Sequence, residues 1–287
     1  MQSLAGNAEY PTCPADHTLE KKYESLRRII AGRKSAAVAF SGGVDSSFLC
    51  YAAVAALGNQ AIAVTVASPM LPQSEREWAA RIAGQTGIEH VWIDEDEIDE
   101  EVAANSGRRC YFCKKREFSR ILEEARKRGI AAVLDGSNRD DLLDYRPGLK
   151  ALEELGVCSP LREAGLTKAE VRELSRRFAL PTWDKQAFAC LASRIPYGER
   201  IDRDKLARVE KAEDYLRDRG FRQFRVRSHG DIARIEAAPE ERRRFFDGAL
   251  ADQVSRGLKS LGFLFVALEL EGYVMGSLNR LLKGPEA

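Results

Sequence analysis

Short apolar stretches alternate with amphipathic ones through the first two thirds of the chain. Runs rich in small and β-branched residues predict four strands, at residues 36–40, 61–66, 89–93 and 131–135. Apolar positions that recur every three or four residues predict helices at residues 19–30, 46–57, 75–84, 114–128 and 167–178. Thr167, followed three residues later by Glu170, predicts a capping box at the start of the last of these helices. Because strands and helices alternate, the expected fold is an α/β fold, a parallel sheet with helices on both faces.

The pattern changes near residue 200, where this regular alternation stops. We predict here a smaller C-terminal α+β domain, with a helix from residue 204, strands at 222–227, 231–236 and 263–268, and helical stretches between 239 and 261. Residues 1–18 show no periodicity and are expected to form a loose tail. The predicted division is a tail at 1–18, an α/β domain at 19–200, and a domain for substrate binding or oligomerisation at 201–287.

One junction between a strand and a helix carries an unusual set of residues. In AAVAFSGGVDSSFL at 36–49, the predicted strand stops at Ser-Gly-Gly (41–43), and helix-forming residues resume at Asp45. Glycines let backbone N–H groups approach a ligand, serine hydroxyls donate hydrogen bonds, and a helix N-terminus attracts negative charge. The segment therefore predicts a phosphate-binding loop rather than a plain turn. It lacks the Gly-Lys-Ser/Thr ending of the Walker loop and does not fit Gly-x-Gly-x-x-Gly.

A second polar loop, GSNRDDLLDYRPG at 136–148, follows the fourth predicted strand. Its residues Asp140, Asp141 and Asp144 can hold Mg²⁺, bind ribose hydroxyls or cap a helix, and an acidic loop facing solvent is the alternative. Ligands of parallel sheets bind beyond the carboxyl ends of the strands. The position of the segment therefore favours a loop that faces a ligand.

Composition narrows the class of protein. The 287 residues hold 45 basic and 44 acidic side chains, and this near-balance argues against nucleic acid as a partner. There is no apolar run of about 18 residues and no secretory signal, so we expect a cytoplasmic protein without a membrane partner. Six cysteines in a chain of this length are too sparse for a disulfide scaffold. Cysteines that lie close together are instead predicted to bind a metal or a cluster, or to carry out redox chemistry.

Three cysteines are the candidates for such chemistry. Cys110 and Cys113 form a C-x-x-C pair, and the basic residues that flank it favour thiolates. One pair cannot complete a structural zinc site, and Cys190, in the irregular and cationic segment 185–200, is the best additional ligand. Three cysteines would leave one corner of a four-iron cluster open for sulfide. Alternatively, they handle persulfide sulfur without iron, or Cys190 gives up its own sulfur. Cys50 is expected to be a small buried apolar residue.

Two arginines of the C-terminal domain form another candidate site. Arg225 and Arg227 are two residues apart on a predicted strand, so both side chains project from one face. Together they can clamp a phosphate or a carboxylate. A solvated strand face with glutamate partners is an equally good interpretation of the same pattern.

Four separated segments, taken in order, resemble the LarE family of ATP-dependent sulfur transferases. They are AFSGGVDSS (39–47), AVLDGSNRDDLLDYRPGLKAL (132–152), CLASRIPYG (190–198) and RVRSHGDIARIE (225–236). The resemblance runs from about Leu19 to the C-terminus. It implies a PP-loop ATP pyrophosphatase fold, similar to the adenine nucleotide alpha hydrolases. It also implies an enzyme of nickel-pincer nucleotide biosynthesis, in which ATP adenylates a carboxylate of a pyridinium biscarboxylic acid mononucleotide and sulfur then displaces AMP.

The resemblance also implies roles for individual residues. ATP would be bound by Ser41, Gly42, Gly43, Val44, Asp45, Ser46, Ser47, Ala67, Gly136 and Asn138. Asp45 would help to place Mg²⁺ and would act in catalysis together with Cys190. The substrate phosphate or carboxylate would be held by Ser193, Arg194, Arg225 and Arg227. In one branch of the family the cysteine that matches Cys190 gives up its sulfur and becomes dehydroalanine. In another branch three cysteines bind a four-iron four-sulfur cluster, and Cys110, Cys113 and Cys190 match that branch.

Three other functions compete with this prediction. A transfer-RNA thiolase can combine such a loop with C-x-x-C and a third cysteine, but it needs a basic surface that the charge balance argues against. An ammonia-using amidotransferase is disfavoured because no glutamine-handling domain is recognisable. A nucleotide-binding scaffold with structural zinc is the alternative from another class. The expected partners are a small-molecule nucleotide substrate and further copies of the chain in a homo-oligomer, and the sulfur donor stays open.

Overall fold

Four parallel strands form the main sheet of the protein. The structure, a computed structural model, describes residues 16–143, 147–186, 189–274, 277 and 280. The strands are β1 (Ala36–Ala39), β2 (Ala61–Ala67), β3 (Glu89–Asp94) and β4 (Ala132–Leu134), and their order across the sheet is β3-β2-β1-β4. Ala36 of β1 lies in register with Ala61 of β2 and with Ala132 of β4. The four predicted strands and their parallel arrangement are confirmed.

Helices cover both faces of this sheet, as predicted. They are α1 (Asp16–Ala31), α2 (Val44–Leu57), α3 (Gln73–Thr86), α4 (Glu100–Ala103), α5 (Arg109–Lys127), α6 (Pro147–Glu154), α7 (Pro160–Glu163) and α8 (Lys168–Arg177). Side chains alternate along β1, so Val38 packs with α1, α2, α3 and α8, whereas Ala37 packs with α5 and α6. The small residues of β1 let helices approach from both sides. Among the described residues, no helix is long and apolar enough to cross a membrane.

Helices α5 and α1 begin earlier than the sequence pattern indicates, by more residues than α2 and α3 do. Helix α5 starts at Arg109 rather than residue 114, because Tyr111 extends the buried stripe formed further along by Phe118 and Ile121. The C-x-x-C pair therefore lies in the first turn of a helix. Helix α1 starts at Asp16, inside the expected tail, while residues 1–15 lie outside the described part of the chain.

A three-stranded sheet forms the C-terminal region. It contains β5 (Phe224–His229), β6 (Ile232–Ala237) and β7 (Phe265–Leu268), packed with α9 (Arg203–Arg217) and α11 (Gly248–Ser260), and the short helix α10 (Pro239–Arg242) follows β6. β5 and β6 pair antiparallel, and β6 and β7 pair parallel. The predicted α+β region is thus present. Because α9 contributes to the cores on both sides of residue 200, the domain boundary there stays a prediction.

The strand order places the functional loops side by side. From β1 the chain proceeds to β2 and β3 on one side, whereas β4 lies on the other, so the order reverses between β1 and β4. Ligands of such sheets bind in the crevice formed where the order reverses, beyond the carboxyl ends of the strands. The predicted phosphate-binding loop follows β1 and the second polar loop follows β4, and both therefore border this crevice.

A hydrogen-bond chain next to β1 has a consequence for acid stability. Thr65 Oγ1 donates to the carbonyl oxygen of Phe40 at 2.6 Å, and His90 Nε2 lies 2.8 Å from the same hydroxyl oxygen. Burial lowers the pKa of His90 from 6.5 to about 4. Between these values the unfolded chain binds a proton that the folded chain excludes, so the free energy of unfolding falls as pH drops from 6.5 towards 4.

We expect a His90→Gln variant to lose less stability on acidification than the parent protein, whatever its stability at neutral pH. Urea unfolding of both proteins at about pH 7 and about pH 5 measures this difference. Equal losses in the two proteins would show that His90 does not titrate in this way.

Candidate active site

A cavity of about 530 Å³ opens at the carboxyl ends of β1, β2 and β4. The predicted site residues that line it are Ser41, Gly43, Val44, Asp45, Ser46, Cys113, Gly136 and Cys190. The loop after β1 and two of the three candidate cysteines therefore share one cavity. Its described lining does not include Gly42, Ser47, Ala67, Cys110, Asn138, Ser193, Arg194, Arg225 or Arg227.

Gly42 shapes the loop after β1. Its φ is +68°, and a Cβ atom added there would lie 3.1 Å from Cα of Ala79 on α3. The carbonyl oxygen of Gly42 accepts a hydrogen bond from Trp78 Nε1 at 3.1 Å, which turns this carbonyl towards α3. Gly43 caps helix α2 without any side-chain hydrogen bond to the first turn. The first N–H groups of α2 are thus available to an anion in the cavity.

We expect Gly42→Ala to destabilise the protein by about 2–4 kcal/mol, since it combines left-handed backbone with a tight contact. The matched control is Gly87→Ala, where φ is +70° but nothing lies within 4 Å of the added Cβ. This control carries the backbone cost alone, about 1 kcal/mol. Denaturant unfolding compares the two variants, and equal losses would show that the contact with Ala79 has no effect. AMP formation should fall in Gly42→Ala only.

Serine hydroxyls hold the loop closed on itself. Ser46 Oγ lies 3.1 Å from Ser41 Oγ and accepts a hydrogen bond from the backbone N–H of Ser41 at 3.3 Å. Ser47 is fully buried, and its hydroxyl has no partner among the described residues. Buried hydroxyls are almost always hydrogen-bonded, so the Ser47 hydroxyl, which does not line the cavity, is an exception within the described part of the chain.

The loop after β4 packs against the start of α2. A Cβ atom on Gly136 would lie 3.2 Å from the backbone nitrogen of Ser46, so a side chain there would push the two loops apart. Asn138 Nδ2 donates to Asp45 Oδ1 at 3.3 Å, and Lys168 Nζ forms an ion pair with Asp45 Oδ2. Asp45, predicted from the sequence, therefore lies between an amide and a cation at the edge of the cavity.

Other predicted residues form hydrogen bonds within the protein. Asp140 accepts a hydrogen bond from the backbone N–H of Lys168, and Asp141 accepts one from that of Asn138, both at 2.9 Å. The contact of Asp140 with the first residue of α8 supports the helix-cap interpretation, and Asp141 also lines the cavity. Asp144 lies outside the described residues. Ala67 is buried at the end of β2, where its carbonyl oxygen accepts the N–H of Glu95 at 3.1 Å.

Two lysines of the cavity were not predicted. Lys168 follows the capping box that Thr167 and Glu170 form at the start of α8, a predicted motif that is confirmed. Lys185 Nζ donates to Glu75 Oε2 at 2.7 Å and to the carbonyl oxygen of Gly42 at 3.3 Å. Burial lowers the pKa of Lys185, although Glu75 acts in the opposite direction. Neither lysine belongs to a spacing pattern that marks it in the sequence.

The candidate cysteines lie on two segments. Cys110 and Cys113 occupy the first turn of α5, and Cys190 precedes the 3₁₀ turn Leu191–Arg194. Burial raises the pKa of the Cys113 thiol, and the charges of Glu117 and Cys190 act in the same direction. Lys114 lowers the pKa of this thiol, as expected of a flanking basic residue, but burial outweighs it. Cys50 is buried, as expected.

Asn105 and Arg109 join these two segments. Asn105 Nδ2 donates to the carbonyl oxygens of Pro196 and Glu199 at 2.7 and 2.9 Å. One guanidinium nitrogen of Arg109 donates to Asn105 Oδ1 at 2.6 Å and to the carbonyl oxygen of Ala192 at 3.1 Å. These buried contacts hold the start of α5 beside the segment that carries Cys190. Sequence patterns did not reveal them, because the paired positions are about ninety residues apart.

The three thiols are suitable donors for an iron–sulfur cluster, and Cys110 and Cys113 are one helical turn apart on α5. Within the part of the chain that the structure describes, however, no three histidine, cysteine, aspartate or glutamate side chains come together as a metal site. The donor set thus suits a cluster, whereas the arrangement does not gather all three thiols. The cluster stays a prediction.

The arginines predicted to hold the substrate do not line the cavity. Arg194 is fully buried and forms a two-point ion pair with Glu213. Arg227 donates to the carbonyl oxygen of Ser193 and to Glu236, both at 2.7 Å. Arg225 is half-buried beside Tyr273 and has no carboxylate partner among the described residues. Of the three arginines, Arg225 is therefore the one that forms no ion pair with a carboxylate of the described residues.

Comparisons with known proteins agree with this geometry. The family model described as asparagine synthase matches residues 20–234. The chain is 39% identical over 267 residues to pyridinium-3,5-bisthiocarboxylic acid mononucleotide synthase of Lactiplantibacillus plantarum, which covers 92% of this chain and 96% of the relative. An uncharacterized protein of Synechocystis is 44% identical over 92% of this chain and 99% of its own length. One subunit of the glutamine-hydrolyzing GMP synthase of Archaeoglobus fulgidus is 32% identical, over 57% of this chain and 56% of its own. The chain therefore belongs to the family of the asparagine synthase model and, within it, to the LarE family of PP-loop proteins.

Proposed function

We propose that the chain uses ATP to activate a carboxylate of a pyridinium biscarboxylic acid mononucleotide and then replaces AMP with sulfur, in the biosynthesis of the nickel-pincer nucleotide. The observation that carries this proposal is one cavity that is lined both by the loop after β1 and by Cys113 and Cys190. A phosphate site beside sulfur side chains suits activation followed by sulfur transfer. The name of the Lactiplantibacillus plantarum relative supports the same substrate class.

The proposed chemistry has two steps. A carboxylate oxygen of the substrate attacks the α-phosphorus of ATP, the bond from that phosphorus to the β-phosphate oxygen breaks, and pyrophosphate leaves. A sulfur nucleophile then attacks the acyl carbon, and the carbon–oxygen bond to AMP breaks. Activation is needed because a free carboxylate is a poor electrophile, whereas AMP is a leaving group whose charge nearby cations stabilise.

The lining of the cavity offers groups for each part of the first step. The N-terminus of α2 and the serine hydroxyls would hold phosphate oxygens, and Asp45 would help to place Mg²⁺. Lys168 and Lys185 supply positive charge to the same cavity, where they contact Asp45 and the carbonyl oxygen of Gly42. Both lysines are now paired with carboxylates, so binding of a phosphate would replace or share these partners.

Sulfur handling is assigned to Cys190, with Cys110 and Cys113 completing the donor set of a four-iron cluster. The support is the cysteine set itself and the place of Cys113 and Cys190 in one cavity. Such a cluster would supply an open iron position for sulfide. Anaerobically purified protein should then contain about four irons per chain. Iron-free protein that loses one cysteine sulfur per product would instead assign the sulfur to Cys190 itself.

We assign Arg225 to the negatively charged group of the substrate, with Ser193 and Arg227 beside it, because Arg225 forms no ion pair with a carboxylate of the described residues. Amidation, as the names of the GMP synthase relatives would suggest, is not favoured, since the relative from Archaeoglobus fulgidus shares little more than half of the chain. A cytoplasmic location and a homo-oligomeric state stay predictions.

The test is a reaction with ATP, Mg²⁺, a sulfur source and the pyridinium biscarboxylic acid mononucleotide. We expect AMP and pyrophosphate to form only when the carboxylate is present, and mass spectrometry to detect a thiocarboxylate. Equal AMP formation with and without the carboxylate substrate would contradict the proposal. Formation of an amide when ammonia is supplied would favour amidation.

A further inference from the structure

The segment that carries Cys190 is anchored by a buried arginine. The exposed fraction of Arg194 is 0%, and its Nε and Nη2 atoms donate to the two carboxylate oxygens of Glu213, both at 2.9 Å. Its Nη1 atom donates to the carbonyl oxygens of Ala189 and Cys190, at 2.6 and 3.1 Å. All three guanidinium nitrogens therefore have acceptors inside the protein.

Glu213 connects this anchor to the C-terminal sheet. It lies on α9 and is itself buried, and its Oε1 atom also accepts the backbone N–H of Val226 at 3.1 Å. β5, which contains Val226, is an edge strand of its sheet, so this carboxylate occupies a position where a further strand would otherwise pair. Arg227 of the same strand donates to the carbonyl oxygen of Ser193 at 2.7 Å. Hydrogen bonds and an ion pair thus hold the backbone from Cys190 to Ser193 against β5 and α9.

Cys190 is exposed and lines the cavity, while its carbonyl oxygen is held by Arg194. A reactive side chain needs its backbone fixed, because small errors in the position of a nucleophile reduce the rate strongly. If Arg194 bound a substrate anion, its ion pair with Glu213 would break. The buried carboxylate of Glu213 would then be charged and unpaired, which is unfavourable.

We infer that Arg194 is a positioning residue that fixes the backbone of Cys190 through Glu213, and that it does not bind the substrate. The inference changes the role that the sequence suggested for Arg194 and leaves Arg225 as the cation for the substrate. It rests on the proposed function only in assigning sulfur handling to Cys190. The position of the Cys190 backbone is a property of the fold and is measurable by itself.

The central variant is Arg194→Lys, which keeps the charge but cannot make a two-point pair and also hold two carbonyl oxygens. We expect kcat for thiocarboxylate formation to fall about tenfold to a hundredfold, because a displaced nucleophile loses rate rather than binding. KM for the carboxylate substrate should stay within about twofold, and substrate-dependent AMP formation should continue. The matched control is Arg225→Lys, for which KM should rise and kcat should change little.

A raised KM with an unchanged kcat in Arg194→Lys would overturn the inference, because it would make Arg194 a substrate-binding residue. Glu213→Gln is the second variant, since it keeps the shape of the side chain and breaks the ion pair from the other side. It should show the same fall in kcat with unchanged KM, and parental kinetics would also overturn the inference. Glu213→Gln therefore tests the positioning role even if Arg194→Lys does not fold.

A measurement without substrate separates this inference from the proposed function. The rate at which iodoacetamide alkylates Cys190, followed by mass spectrometry, should change by about threefold or more in both variants, whereas the rate at Cys110 should not. Equal Cys190 rates in variant and parent would overturn the positioning role. If the parent protein formed no thiocarboxylate, the proposed function would fail, and the alkylation rates would still decide the role of Arg194.

Discussion

An Asp45→Asn variant should form AMP about a hundredfold to a thousandfold more slowly than the parent protein, because it weakens the binding of the Mg²⁺ that stabilises charge on the reacting phosphates. Asp45 receives a hydrogen bond from Asn138 and pairs with Lys168 at the edge of the cavity. Asparagine keeps the shape of the side chain but removes an oxygen ligand for Mg²⁺ and the partner of the lysine. The measurement is substrate-dependent AMP formation at saturating ATP.

The control for this variant is Asp94→Asn. Asp94 also pairs with a basic residue, Arg76, but the pair is exposed at the end of β3, and such pairs contribute little. The control should form AMP at the parental rate, and both variants should unfold near the parental temperature. Normal AMP production in Asp45→Asn would remove Asp45 from the site.

Replacing Cys190 with serine should separate activation from sulfur transfer. The loop after β1 and the lysines of the cavity stay intact, so we expect AMP to form in response to the carboxylate. The acyl adenylate then has no sulfur to receive, and thiocarboxylate formation should fall at least about a hundredfold, as for loss of a nucleophile. Chromatography of AMP and mass spectrometry of the product measure both steps in one reaction.

Cys158→Ser serves as the control, since Cys158 lies beside β4 and does not line the cavity. It should form both products at parental rates. A Cys190→Ser variant that still makes thiocarboxylate would move the sulfur chemistry to Cys110 and Cys113. Loss of AMP formation together with thiocarboxylate would place Cys190 in the activation step instead.

Local patterns were sufficient to predict most of the α/β core. The apolar run before Ser41 marks β1, and the glycines that follow it mark a loop whose Gly42 indeed has positive φ. The capping box of Thr167 and Glu170 was visible from two residues three positions apart. In each of these cases the interactions that determine the structure lie within one element or one turn, so spacing alone reveals them.

The features that were missed depend on contacts between distant segments. Lys168 and Asp45 are 123 positions apart, and no pattern in the sequence pairs them. Arg225 and Arg227 share a strand face, yet Arg227 is buried against Glu236, whereas Arg225 is not paired with a carboxylate among the described residues. The early start of α5 depended on Tyr111 packing into the fold. Packing between distant segments determines these pairings and helix starts, and it overrides the local structural preferences of the residues.

Activation of the carboxylate as an acyl adenylate is tested most directly by labelling the carboxylate oxygens of the substrate with heavy oxygen. In the proposed reaction the attacking oxygen stays on the α-phosphorus when sulfur breaks the carbon–oxygen bond. Mass spectrometry should therefore find one heavy oxygen in each AMP and none in pyrophosphate. Unlabelled AMP, or a label in pyrophosphate or inorganic phosphate, would contradict the proposed activation.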